Sequence, residues 1–354
     1  MRENQRKGQI LFICGSMNQT TQMHQIAQEL PDYEHSFSPY YCDGYLEFLR
    51  KQNLLEFTIL GNQHVKRCLD YLELHGLQVD FQGRRGPYDL VVTCSDLVVP
   101  ENTRHTTTVL IQEGMTDPEN FAFHLVKRFR FLPRWLSSTA ATGMSDQYDR
   151  FCVASEGYKS LFINKGVKAE KIVVTGIPNF DNCRKYLHNT FPYKNYVLVC
   201  TSDVRETYKY ENRKKFIKNA VRIANGRQSI FKLHPNERVD RATHEIRRYA
   251  PGAIVYSNGN TEEMIANCDT LVTHYSSTVY VGLALGKEVY SEFNVEELKK
   301  LTPIQNASAA RNIAATCREL LEGKNRDAIA PVERPVRNVL RPEYVGSMFR
   351  RASS

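Results

Sequence analysis

Thr270-Leu271-Val272-Thr273-His274-Tyr275-Ser276-Ser277 is the stretch on which the fold turns. An unbroken run of apolar and β-branched residues leads into a polar turn with two hydroxyls. A helix-like run then continues to Leu285, where Gly286 stops it. A strand with no polar alternation is covered on both faces, as in a parallel sheet flanked by helices. The same unit recurs upstream. Tyr196–Thr201 reads as a strand, Arg213–Asn225 as a helix, Ser229–Leu233 as a strand ending in His234-Pro235, Thr243–Tyr249 as a helix and Ala253–Tyr256 as a strand. Thr261–Asn267 reads as a short helix capped by Thr261, with Glu262 and Glu263 in the first turn, where negative charge suits the helix dipole. Val289–Tyr290 closes the series.

An earlier block has the same rhythm. Gln9–Cys14 is a strand ending in Gly15-Ser16; a polar loop, Met17–Thr21, then leads to a helix over Gln22–Leu30. Further strands fall at Leu90–Thr93, Thr108–Gln112, Phe151–Ala154 and Lys171–Thr175, with a helix ending at Lys165. Two blocks of βα units predict an α/β protein with two doubly wound sheets and right-handed crossovers. The boundary falls in the loop Gly176–Asn195. Residues 1–180 form the expected N-terminal unit and 181–330 the C-terminal one. The basic tail 331–354 is expected to pack along the surface or back on the N-terminal unit.

Composition narrows the function. The 354 residues suit two domains, and 42% hydrophobic with 24% charged residues is an ordinary globular balance. No run reaches the roughly 18–20 apolar residues of a membrane span, and Ile10–Ile13 is too short for a secretory signal core, so a cytoplasmic protein is expected. The nine cysteines have no CxxC or zinc-ligand spacing. Cys14, Cys94, Cys152 and Cys200 lie in or beside the strands and read as buried apolar groups; no metal or other cofactor is expected. A net charge of +8 favours anionic partners. No recognised motif points to nucleic acid. Lys127-Arg128-Phe129-Arg130-Phe131-Leu132-Pro133-Arg134-Trp135 mixes basic and aromatic residues. It suits an anionic membrane surface at the inner face, or equally a half-buried helix with snorkelling arginines.

Ligands of open α/β sheets bind at the carboxyl ends of the strands, so strand-end residues are the site candidates. Lys232-Leu233-His234-Pro235 offers a histidine donor for a phosphate on a stiffened turn, or a plain helix cap. Ser276-Ser277, with Thr278 and the neighbouring His274, offers a hydroxyl cradle at a helix start, or again a cap. Gln112-Glu113-Gly114 presents a carboxylate that can act as general base, or one that is capped or ion-paired; its glycine permits close approach. Gly15, Ser16, Asn18 and Gln19 form a polar strand-end loop without GxGxxG or GxxxxGK[ST]. Gly176 ends the strand before the boundary loop and is placed at the cleft.

The stretch Phe151–Asn182, including Gly176-Ile177-Pro178-Asn179-Phe180-Asp181, resembles the interdomain region of GT-B transferases and of UDP-N-acetylglucosamine 2-epimerases. Cys268–Lys287 with Lys232-Leu233-His234-Pro235 is similar to the nucleotide-binding segment of CDP-glycerol glycerophosphotransferases. Bacterial sialyl-, polysialyl- and Kdo transferases share acidic-Gly, His-Pro and paired Ser/Thr motifs, which Glu113-Gly114, His234-Pro235 and Ser276-Ser277 resemble in the same order. Gln112 stands where those enzymes usually have a further acid. The resemblance implies two Rossmann-like domains facing a cleft. It implies an inverting, metal-independent glycosyltransferase with a nucleotide-activated, CMP-linked donor and a glycan or glycolipid acceptor. Glu113 would be the base and His234 the phosphate ligand assisting departure; Lys232, with Ser276 and Ser277, would hold the phosphate and meet its charge, and Glu262 or Glu263 the ribose. Alternatives are a CDP-polyol phosphotransferase, a UDP-N-acetylglucosamine 2-epimerase-like enzyme, or a scaffold without activity.

Overall fold

The computed structural model describes residues 8–56, 58–129, 131–202, 204–206, 210–274 and 276–329. Its first half runs β1 (Gln9–Ile13), α1 (Met17–Gln28), β2 (Glu34–Ser38), α2 (Gly44–Lys51), α3 (Asn62–Leu74), β3 (Leu90–Thr93), β4 (Thr107–Ile111), α4 (Phe121–Arg128), β5 (Arg150–Val153), α5 (Glu156–Lys165) and β6 (Ile172–Val174). The second half runs β7 (Val197–Cys200), α6 (Arg213–Ala224), β8 (Ser229–Lys232), α7 (Val239–Tyr249), β9 (Ile254–Tyr256), α8 (Thr261–Asn267), β10 (Thr270–Thr273), α9 (Thr278–Ala284), β11 (Glu288–Tyr290), α10 (Val295–Leu301) and α11 (Ala309–Ile329).

The strands form two parallel sheets, ordered β2-β1-β3-β4-β5-β6 and β11-β10-β7-β8-β9. Each order reverses direction beside its first strand, which makes both sheets doubly wound as the apolar runs predict. The central strands are buried along their length because helices cover both faces: Leu90, Val92, Leu110, Val197 and Leu198 are 0% exposed. All nine cysteines are buried and free, as small apolar groups should be in such layers.

Several elements differ from expectation. β2 is an edge strand, Glu-His-Ser-Phe-Ser, and its polarity hides it from an apolar-run reading. α1 begins at Met17, not Gln22. Ser16 caps it, its hydroxyl accepting the Gln19 N–H at 3.3 Å, so the expected polar loop is the first turn of a helix. The cap of α8 is Asn260, which accepts the Glu263 N–H at 3.1 Å, and not Thr261. α11, expected in the C-terminal unit, packs on the first sheet: Ile313, Ala314, Cys317 and Leu321 join the core of Ile10, Phe12, Met23 and Ile26. The return to the first half is made by these residues; the tail 331–354 lies outside the described residues.

The halves are closely joined. The hydroxyls of Tyr158 on α5 and Tyr280 on α9 meet at 2.5 Å, both side chains buried. Gly157 packs so tightly on α10 that a Cβ there would lie 2.1 Å from the Lys300 carbonyl. No helix among the described residues is long and apolar enough to cross a membrane.

Candidate active site

Glu113 follows β4, the strand that precedes it by one buried residue, Gln112. The Gln112 amide is committed to backbone: Nε2 donates to the Gly114 carbonyl at 2.7 Å and Oε1 accepts the Ala154 N–H at 2.9 Å. Gln112 thus braces the strand ends of β4 and β5 and aims the next residue. The Glu113 carboxylate accepts the Ser16 hydroxyl at 2.6 Å on one oxygen and Gln19 Nε2 at 2.6 Å on the other. Gln22 Nε2 donates to the Glu113 carbonyl at 2.9 Å. Ser16, Gln19 and Gln22 are spaced by three, so once α1 starts at Met17 they share one face. The carboxylate also meets the positive end of the α1 dipole. Gln22 escaped the sequence reading, although the three-residue spacing was its signal.

Gly15 makes the clamp possible. A Cβ there would lie 1.9 Å from Gln19 Oε1, so the Gln19 amide folds over a space only glycine leaves. Asn18 contributes its carbonyl, which accepts Asn179 Nδ2 at 2.9 Å; Asn179 Oδ1 accepts Gln25 Nε2 at 2.9 Å. The segment after β6 is tied to α1 in this way.

Gly114 faces the other half. A Cβ on it would stand 3.7 Å from the Phe180 ring and 3.8 Å from Ser277 Cβ. The acidic-Gly pair and the serine pair, 163 residues apart in numbering, therefore meet across the cleft. Ser276 Oγ accepts the Thr278 N–H at 3.3 Å and its hydroxyl at 3.0 Å, which makes Ser276 a local cap. Ser277 precedes α9 with no side-chain cap bond. His274 stands edge-on to Phe216, ring centroids 5.6 Å apart, with Nε2 3.6 Å from Glu292; burial holds its pKa below the ordinary value.

His234 follows β8, and β7 lies between β8 and β10, so strand spacing puts the His234 and His274 ends about 10 Å apart. His234 Nδ1 accepts the Asn236 N–H at 3.2 Å, which leaves the proton of the neutral ring on Nε2. Pro235 is exposed in the turn. Lys232 behaves differently from expectation. Its ammonium, 5% exposed as a residue, donates to the carbonyls of Leu233 at 2.9 Å and Ser257 at 3.3 Å. It joins the ends of β8 and β9, and burial lowers its pKa. Glu262 lies within Coulomb reach of that ammonium, and Glu263 shares the start of α8. Gly176 stands apart from the others: with φ +84° it packs under Ala309, where a Cβ would come within 3.1 Å. It serves the return of α11.

No protein-family model matches the chain, and no curated protein matches it significantly. Solved structures do. The structure of Staphylococcus aureus MnaA with UDP matches at TM-score 0.57 and 10% identity, covering 89% of this chain and 97% of that one. The Neisseria meningitidis UDP-GlcNAc 2-epimerase bound to UDP-GlcNAc matches at 0.52 and 12%, covering 88% and 100%. The wall teichoic acid polymerase TagF matches at 0.51 and 13%, covering 90% of each. With two doubly wound parallel sheets facing one cleft, the chain has the GT-B fold.

Proposed function

We propose that this chain is a metal-independent, inverting transferase that moves a sugar from a nucleotide-activated, CMP-linked donor to an acceptor hydroxyl in the cleft. One observation carries the reading: a clamped carboxylate, Glu113, stands one residue from the glycine that meets Ser277 across the cleft. In this reading the acceptor hydroxyl gives its proton to Glu113 as its oxygen attacks the anomeric carbon. The bond to the nucleotide phosphate breaks, and the charge left on that phosphate is met by His234 Nε2–H and the Ser277 hydroxyl. Glu262 or Glu263 binds the ribose. Metal independence rests on the sequence, which has no Asp-x-Asp motif. Clamping by Ser16 and Gln19 leaves each carboxylate oxygen with remaining lone pairs for the acceptor proton.

The likeness to TagF favours a second reading, a CDP-polyol phosphotransferase, in which the acceptor attacks phosphorus instead of carbon. The likeness to an epimerase bound to UDP-GlcNAc, and to MnaA with UDP, favours a third, with UDP-N-acetylglucosamine as substrate. Calorimetric titration of the full chain with CMP, CDP, UDP and GDP separates them. CMP preference supports the first reading and CDP the second. UDP preference turns the assignment to the epimerase reading, and failure to bind any of them refutes a nucleotide-dependent enzyme.

The acceptor side includes a surface suited to an anionic membrane. Phe131 and Phe121 are 82% and 78% exposed, and Trp135 and Leu136 are also open, beside Lys127 and Arg128. Aromatic and basic side chains together suit the headgroup region. Within the same segment Arg130 lies outside the described residues. Flotation with phosphatidylglycerol vesicles tests this: the chain should float with them and stay behind with phosphatidylcholine alone, and equal behaviour with both refutes it.

A further inference from the structure

The turn that carries His234 is held from inside the second half by two side chains, Glu237 and Thr201. Glu237 Oε2 accepts the His234 main-chain N–H at 3.0 Å, and the Glu237 N–H returns to the His234 carbonyl at 3.0 Å. Both backbone polar groups of His234 thus end on residue 237. Thr201, after β7, donates its hydroxyl to the same carboxylate oxygen and accepts the His234 N–H at 3.1 Å. Arg213, the first residue of α6, takes the other oxygen at 2.6 Å and reaches the Ser202 carbonyl and Glu211, each at 3.0 Å. Glu237 and Arg213 are 6% and 4% exposed.

A buried ion pair is weak evidence for stability, because desolvation offsets much of the attraction and an apolar pair of similar volume often holds a fold as well. An apolar pair could not, however, supply an acceptor aimed at one N–H. We propose that Glu237, anchored by Arg213 and Thr201, is a positioning residue for His234. It sets the turn in which the Asn236 N–H meets Nδ1, and so keeps the proton of the neutral ring on Nε2 as a donor for a phosphate oxygen. The phosphate role rests on the donor site proposed above; the hold on the turn does not.

The test has two arms. In the first, ring ¹⁵N spectra of the full chain without ligand are recorded for wild type, Glu237→Gln and Thr201→Val, with His234→Ala to assign the signal. His234 should show the Nε2–H pattern in wild type and shift toward a mixture of tautomers in the variants. Glu237→Gln is isosteric, and should it fail to fold, Thr201→Val carries the arm alone. An unmoved His234 signal in a folded variant overturns the proposal. The second arm is a calorimetric cycle with CMP. Glu237→Gln should weaken binding about tenfold in wild type, a coupling usual within one hydrogen-bond network, and should have no further effect in His234→Ala. An equal loss in both backgrounds overturns the positioning role. If wild type binds no CMP, the donor reading fails and the ring spectra alone decide on Glu237.

Discussion

Gly15→Ala is a small change that should undo the Glu113 clamp from a distance. The new Cβ would lie 1.9 Å from Gln19 Oε1 and 3.0 Å from its Cδ, and 3.6 Å from the Ile59 side chain. Only the first two are clashes. Gly15 is not among the positive-φ glycines, so alanine adds no backbone strain. The Gln19 amide must swing away by more than an ångström, which ends its 2.6 Å bond to Glu113. A hydrogen bond to a charged group contributes about 1.5–3 kcal/mol. Alanine returns about 0.4–1 kcal/mol by restricting the unfolded chain. The expected net loss is therefore about 1–2 kcal/mol, read as a lower urea midpoint. The double variant Gly15→Ala/Gln19→Ala decides the cause. With the Gln19 side chain gone, alanine at 15 meets only Ile59 at ordinary contact, so adding it to Gln19→Ala should cost nothing or stabilise slightly. If Gly15→Ala costs as much in the Gln19→Ala background as in wild type, the account of Gly15 is wrong.

Other expectations follow from the same geometry. Glu113→Ala should lower turnover by about two to four orders of magnitude, as for a lost general base, with nucleotide affinity nearly intact; single-turnover rates and calorimetry check both. The serine pair should divide its work. Ser276→Ala loses a cap and costs about 1 kcal/mol of stability, whereas Ser277→Ala should chiefly raise the nucleotide dissociation constant; the reverse assignment refutes the division. Acid should destabilise the protein through His24, His35 and His274, whose pKa values burial lowers from 6.5, with His75 adding to the effect at His24. Well above pH 6.5 these rings are neutral both folded and unfolded. Below it the unfolded chain takes up protons first, so stability falls from pH 6.5 down toward the folded values. The urea midpoint should be lower at pH 5.5 than at pH 7.5, with a smaller drop in His35→Gln; a midpoint that rises on acidification contradicts the assignment.

Unbroken apolar runs such as Thr270–Thr273 and Leu90–Thr93 determined the parallel, helix-covered sheets, because burial on both faces leaves no place for alternation. Strand-end position singled out Glu113, His234 and Ser277 for the same topological reason. What was not legible depended on partners distant in sequence. β2 carries its buried positions on Ser36 and Ser38 beside Phe37, so no apolar run marks it, and α11 shows its allegiance only when Ile313 and Cys317 find the first sheet. Lys232 reads as a free cation beside a strand end, but its ammonium is closed over by the Leu233 and Ser257 carbonyls. Gln22 and Glu237 read as ordinary polar residues until α1 begins at Met17 and the His234 turn closes. Sequence alone records how much each residue must bury and with what period, which is enough for sheets and their open ends. Hydrogen bonds are short-ranged and directional, so only tertiary structure decides which polar side chain faces the cleft and which is consumed in building it.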